Sequence, residues 1–279
     1  MKKYLVLMCA IFALMSCTKQ EVYEHQVGNT LVIYLNNKNI TRSALTNDPK
    51  NVENTVNSVT IGVFKSDGTV RTIKEFSSPS KSVTMRVANL STSDKVVCVA
   101  NAKSGEFASV KTLDEFNAKE VSLDNALTNN TVDLVASNLI MYGSGTIMAD
   151  KDGYVSSVDM YHLNSKVTLN YLNIQIPNGG TFKAKEIYLI NVPSAFKYCY
   201  DSPYSTSGVY YHGSLNSSIQ NESQKLYLGY GNINGNVNKL FFYSSPNNSV
   251  KYTRLVVFGS YDADGNGPLQ AKDTYYHLS

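Results

Sequence analysis

From Thr30 onward the chain is written in short apolar runs cut by Asn, Gly, Ser and Asp, and apolar residues almost never recur at the helical spacing. That pattern confines the chain to β-structure. The runs TLVIYLN (30–36), SVTIGVFK (58–65), VTMRVA (83–88) and KVVCVAN (95–101) predict strands. So do KVTLNYLNIQI (166–176), KEIYLINV (185–192), KLFFYSS (239–245), YTRLVVFGSY (252–261) and the closing TYYHLS. Asp67-Gly68 marks a hairpin, because glycine takes the positive φ of a tight turn at little cost. One helix of one or two turns is expected over TLDEFNAK (112–119), where Thr112 and Glu115 have the spacing of a capping box.

Antiparallel strands bury one face each by packing sheet on sheet, so the chain reads as all-β and built of sandwiches. The most turn-rich and polar connection near the middle is GTIMADKDGYVSS (145–157). It places a domain boundary at about residue 155, giving two sandwiches, 43–155 and 156–279, each with enough alternating strands to fold alone. No internal repeat stands out.

The N-terminus has a different grammar. Lys2 and Lys3 precede an apolar run from Tyr4 to Met15, then Ser16 and Cys17. A run this short falls below the roughly 20 apolar residues that a membrane-spanning helix needs, so residues 1–16 read as a secretory signal peptide. Leu14-Met15-Ser16-Cys17 resembles a bacterial lipobox, in which the cysteine thiol takes a lipid and becomes the new N-terminus after cleavage. The plainer alternative is an ordinary signal with an incidental cysteine. Of the formal charge of +3, Lys2 and Lys3 supply two. The remaining chain is nearly neutral, has no basic face, and is not expected to bind nucleic acid. Cys9 leaves with the signal and Cys17 carries the lipid, so Cys98 and Cys199 remain, read as two buried free thiols.

A search for chemistry finds little. His25, His162, His212 and His277 have no metal-ligand spacing with one another or with cysteine. No nucleophile elbow, phosphate loop or dinucleotide fingerprint occurs, and the glycine-rich GYGNING (229–235) reads as a loop. The chain is therefore read as a non-enzyme that needs no cofactor. The sharpest local pattern is DADGNGPLQAKD (262–273), which places Asp262, Asp264, Asn266 and Asp273 at ligand positions of an EF-hand loop. Its flanks read as strands rather than helices, and turn chemistry alone accounts for the same composition. Calcium is thus a weak candidate, and no metal site is assigned. Tyrosine is the main large aromatic, 20 residues against no tryptophan. Its clusters YCYDSPY (198–204) and VYYH (209–212) fit either an exposed binding surface or half-buried strands.

A family resemblance rests on motifs in a fixed order: the lipobox, NTLVIYLNNKNITRSA, VTIGVFKSDG, VVCVANA, KTLDEF, NLIMYGSG, DMYHLNSKVTLNYLNIQ, KEIYLINVPSAF, RLVVFGS and TYYHLS. In that order the chain resembles the fimbrillin family, subunits of the type V pili of Bacteroidia. The resemblance implies two transthyretin-like Greek-key β-sandwich domains in tandem, with one short helix in the first. It also implies export through the periplasm to the cell outer membrane as a lipoprotein, and polymerisation by strand exchange into a surface fimbria that supports adhesion. Two features depart from the family pattern. His162 stands where members usually carry arginine, and similar chains run on past the equivalent of TYYHLS through further strands used to join subunits. The second sandwich is therefore expected to be incomplete, either as a fragment or as a natural variant without a donor segment.

Leu31, Ile33 and Leu35 fall on one face of the first strand, and Arg42 follows in a polar, Asn-rich segment that a trypsin-like protease could reach. By resemblance, an Arg-specific protease would cut between Arg42 and Ser43, removing the lipidated segment 17–42 together with the exchangeable first strand. Its partners would be other copies of itself or related fimbrial subunits, and the outer membrane through the lipid on Cys17. The alternative is a fimbrial tip or anchor subunit, or a stand-alone surface lipoprotein that binds a glycan or host protein and keeps its first strand.

Overall fold

The computed structural model describes residues 29–37, 52–123, 138–199, 208–213, 229–230, 240–266 and 272–278. Among the described residues the structure is all-β with one short α-helix. The strands of the first part are β1 (Thr30–Asn37), β2 (Ser58–Phe64), β3 (Val70–Ser77), β4 (Ser82–Arg86), β5 (Lys95–Ala100), β6 (Glu120–Ser122), β7 (Met141–Thr146), β8 (Met148–Asp150) and β9 (Gly153–His162), with helix α1 (Leu113–Ala118) before β6. Then come β10 (Ser165–Leu169), β11 (Thr181–Ile190), β12 (Val192–Pro193), β13 (Ala195–Lys197), β14 (Tyr210–Tyr211), β15 (Gly229–Tyr230), β16 (Leu240–Ser244), β17 (Arg254–Asp262) and β18 (Lys272–Leu278).

Eight strands of the first part form one sheet in the order β3-β2-β5-β7-β9-β1-β4, with β8 on β9. The β7–β9 ladder holds only at Met141–His162 and Tyr142–Tyr161. Alternation along the strands then does what period 2 requires. Val59, Ile61 and Val63 of β2, Val96 and Cys98 of β5, Val83 and Met85 of β4, Val158 and Met160 of β9, and Leu31, Ile33 and Leu35 of β1 meet in one buried cluster.

The opposite face of β5, Val97 and Val99, enters a second cluster with Phe64, Phe107 and Phe116. Ile187, Leu189, Phe196, Tyr198, Phe242 and Val257 from beyond His162 complete it. Phe107 and Phe116 stack at 4.1 Å between ring centroids, and Tyr198 packs edge-on to Phe107 at 5.2 Å. A short ladder of β6 with β13, centred on Val121 and Phe196, adds backbone pairing across the same junction. The later strands form the sheet β15-β11-β17-β18 and the pair β10-β16.

Local signals act as expected in several places. The β2–β3 hairpin turns at Gly68, with φ 82°, and Asp67 caps it by accepting from the Thr69 amide at 2.8 Å and its hydroxyl at 2.7 Å. In α1 the Thr112 hydroxyl accepts from the Glu115 amide at 3.2 Å. The return arm of the box lands one residue early, the Glu115 carboxylate accepting from the Lys111 amide at 2.6 Å.

Three expectations change. The strand expected over 166–176 ends at Leu169, where Asn170 and Asn173, poor strand formers, interrupt the run; Leu172 and Ile174 pack against the core without a ladder. β3, which no apolar run announced, pairs with β2 along its length. The stretch 145–157 is mostly strand, belonging to β7, β8 and β9. Its glycines are sites of close backbone approach rather than turns: a Cβ on Gly145 would lie 2.7 Å from the Ser157 carbonyl oxygen, and one on Gly153 would lie 2.5 Å from that of Thr30. Residue 155 therefore sits inside β9, which stays in the first sheet to His162.

The aromatic junction gives a direct test. Truncating the fully buried Phe116 to alanine should lower the urea-unfolding free energy by about 3–5 kcal/mol. An exposed-face substitution such as Lys74→Ala should stay within about 0.5 kcal/mol of the parent.

Candidate functional site

The feature that stands out is the seat of β1. It lies between β4, antiparallel over Thr30–Tyr34, and β9, parallel over Leu31–Asn37. Among the described ladders, β1–β9 is the one parallel pairing. β4 has no other ladder partner among the described residues. Two further backbone bonds close the ends: the Leu35 amide to the Lys81 carbonyl at 2.9 Å, and the Val87 amide to the Asn29 carbonyl at 2.8 Å.

Leu31 and Ile33 are 0% exposed and Leu35 8%. The three residues expected to form the buried face of the first strand are thus brought together in the core. On the other face Tyr34 is 50% exposed, and the Asn36 amide donates to Ser157 Oγ at 2.8 Å and Asp159 Oδ1 at 3.1 Å. Beside Ile33 in the β1–β9 register lies Ser156, fully buried, whose hydroxyl finds no hydrogen-bond partner among the described residues. Cys17, Arg42 and Ser43 lie outside the described residues.

The other candidates separate. Asp262 accepts from the amides of Asp264 at 3.4 Å and Gly265 at 3.2 Å, and Asp264 accepts from that of Asn266 at 3.2 Å. The hydrogen bond from the Asn266 amide holds the Asp264 carboxyl below its ordinary value. These are turn-forming contacts, and Asp273 sits on β18 opposite Ser260, in a strand rather than at the end of a ligand loop. Among the described residues no group of three His, Cys, Asp or Glu is placed to hold a metal. Cys98 and Cys199 are both free and buried, and burial pushes the Cys98 thiol strongly up. Of the tyrosine clusters, Tyr198 and Tyr210 belong to the interior, while 200–204 lie outside the described residues. Of GYGNING only 229–230 is described, as the strand β15 against β11.

Sequence reasoning missed a polar junction. Glu53, in the turn Val52–Asn54, pairs with Lys166 at 2.6 Å and accepts from the Tyr243 hydroxyl at 2.5 Å. Lys166 also lies over the Phe241 ring at 4.4 Å. His162 Nε2 contacts Asn54 Oδ1 at 3.1 Å. No spacing rule joins residues this distant along the chain.

Other structures share this architecture. The chain matches a fimbrilin (FimA) from Porphyromonas gingivalis W83 with a TM-score of 0.64 at 17% identity, over 91% of this chain and 81% of that one. It also matches a candidate cell adhesion protein from Bacteroides eggerthii DSM 20697, with a TM-score of 0.63 at 18% identity over 90% and 79%. A candidate cell adhesion protein from Parabacteroides distasonis ATCC 8503 gives 0.65 at 14% identity over 90% and 80%. These likenesses define the fold as that of the fimbrilins. Residues 30–186 match the major fimbrial subunit protein (FimA) family, and the chain belongs to it. No curated protein matches the chain in sequence. Membership gives the protein a structural or adhesive role at the cell-surface fimbria, among other fimbrial subunits.

Two measurements follow from the site. Ser156→Ala removes a buried hydroxyl that has no partner among the described residues and should raise the unfolding free energy by about 1 kcal/mol, read by urea titration. Burial lowers the pKa of His162 from its ordinary 6.5, against a smaller opposing pull from Glu53. The unfolded chain then binds the proton at higher pH than the folded one. Stability should fall as pH drops below about 6.5, and His162→Gln should flatten that slope in thermal melts at pH 5 and 7.

Proposed function

We propose that the protein is a fimbrial subunit exported as a lipoprotein on Cys17, whose first strand is removed by cleavage after Arg42 and replaced by a strand from a neighbouring subunit. The observation that carries this reading is the seat of β1. The strand supplies three core residues and the one described ladder of β4, yet residues 38–51 alone join it to the turn at Val52–Asn54.

Burying three such side chains contributes roughly 1.5–3 kcal/mol each. Losing them costs about 5–9 kcal/mol, comparable to the roughly 5–15 kcal/mol that holds a typical domain together. A subunit without β1 would also leave β4 unpaired and one edge of β9 bare, a template for strand addition. Refilling the slot restores both terms at once. In this reading residues 1–16 are the signal peptide. The first sandwich extends to the end of β9 at His162, and the second begins with β10.

A second reading keeps β1 in place, in a tip, anchor or stand-alone surface lipoprotein. The fully paired and buried state of β1 favours it, since the unprocessed chain needs no partner to complete this sheet.

N-terminal sequencing of protein recovered from the cell surface separates the two. A start at Ser43 in high-mass, detergent-resistant polymers is the expected result; a lipidated Cys17 on a monomer would establish the second reading. Cys17→Ala should leave the protein in the periplasm, and continued partition with the outer membrane would refute lipidation.

A further inference from the structure

A strand in the β1 slot meets two chemically different faces. Its inner face packs among aliphatic side chains that accept any apolar residue of suitable size. On the outer face the register sets Tyr34 beside Ser157 and Asn36 beside Asp159. The Asn36 amide bonds both β9 side chains, at 2.8 and 3.1 Å. Both acceptors belong to β9 and stay with the subunit whichever strand fills the slot.

Resting on the strand-replacement reading, we propose that Ser157 and Asp159 select the occupant. It is an extended segment of a second subunit with apolar side chains at three alternate positions and, on the opposite face at the level of Asn36, a hydrogen-bond donor such as an amide or ammonium.

The backbone ladder and the apolar face discriminate poorly among amphipathic strands. A carboxylate accepts and never donates, so Asp159 welcomes a donor and repels another carboxylate. Bonds to a charged acceptor are also the stronger kind. The pair fixes register too. Sliding an occupant by two residues keeps its apolar face inward but carries its donor away from Asp159, and a slip of one residue is already barred by the buried face.

The test uses the full chain treated with an Arg-specific protease and then incubated with labelled peptides TLVIYLNN, TLVIYLKN and TLVIYLDN. The Asn and Lys peptides should be retained about tenfold longer than the Asp peptide. Asp159→Lys should reverse the order of the Lys and Asp peptides. Equal retention of all three overturns selection while leaving strand replacement standing, and retention of none overturns both. In the intact chain, Asn36→Asp should speed hydrogen exchange of the β1 amides about tenfold, and Asp159→Asn should restore it. Fast exchange that persists in the double variant overturns the proposal independently of any cleavage.

Discussion

The first sheet depends on β1 lying between β4 and β9. Each flanking strand uses β1 differently. β9 has a partial ladder to β7 and a hairpin to β8, so it is anchored without β1, whereas β4, among the described residues, reaches the sheet only through it. The core has the same asymmetry. Leu31, Ile33 and Leu35 are packed by both layers, so the strand that completes the hydrogen bonding also closes the apolar interior. One segment serves both purposes, which is why its seat becomes a groove with a defined chemistry when it is considered empty.

The second constraint is the shared aromatic junction. Phe64, Phe107 and Phe116 from the first part meet Phe196, Tyr198 and Phe242 from the second, and all are nearly or fully buried. A cut near residue 155 would break β9 and divide this cluster. Around it the pairs Lys166–Glu53 and Tyr243–Glu53 and the contact His162–Asn54 fasten the turn at Val52–Asn54 to β9, β10 and β16. That turn comes directly after residues 38–51. Changes on its N-terminal side thus meet a fixed point before they reach β2.

The elements legible in the sequence were those written in local signals. Short apolar runs announced β1, β2, β4 and β5, Asp67-Gly68 announced the first hairpin, and Thr112 with Glu115 announced the helix. The buried face Leu31, Ile33 and Leu35 was visible for the same reason. What stayed hidden depends on partners far along the chain. Gly145 and Gly153 looked like turn residues because glycine has two uses, and only the proximity of the Ser157 and Thr30 carbonyls tells which applies. The Asn36 contact with Ser157 and Asp159 and the Glu53 junction each join positions more than a hundred residues apart. At Asp262, Asp264 and Asn266 the turn chemistry that accounts for the composition is seen directly, as carboxylate contacts to backbone amides two and three residues on.

The parallel pairing of β1 with β9 has a kinetic side. Asn36 and Asp159 are 123 positions apart, and a contact of that span meets its loop-closure cost only when the intervening chain is already ordered. The antiparallel set β3-β2-β5-β7 is assembled from hairpins and shorter connections and does not use β1 in any ladder. It can form first, with β9 joined at its β7 corner. In that order β1 would arrive last, together with β4. Among the described residues the departure of β1 touches two ladders, those with β4 and β9. The same topology gives the β1 slot two edges, those of β4 and β9, with which a strand of matching register would pair.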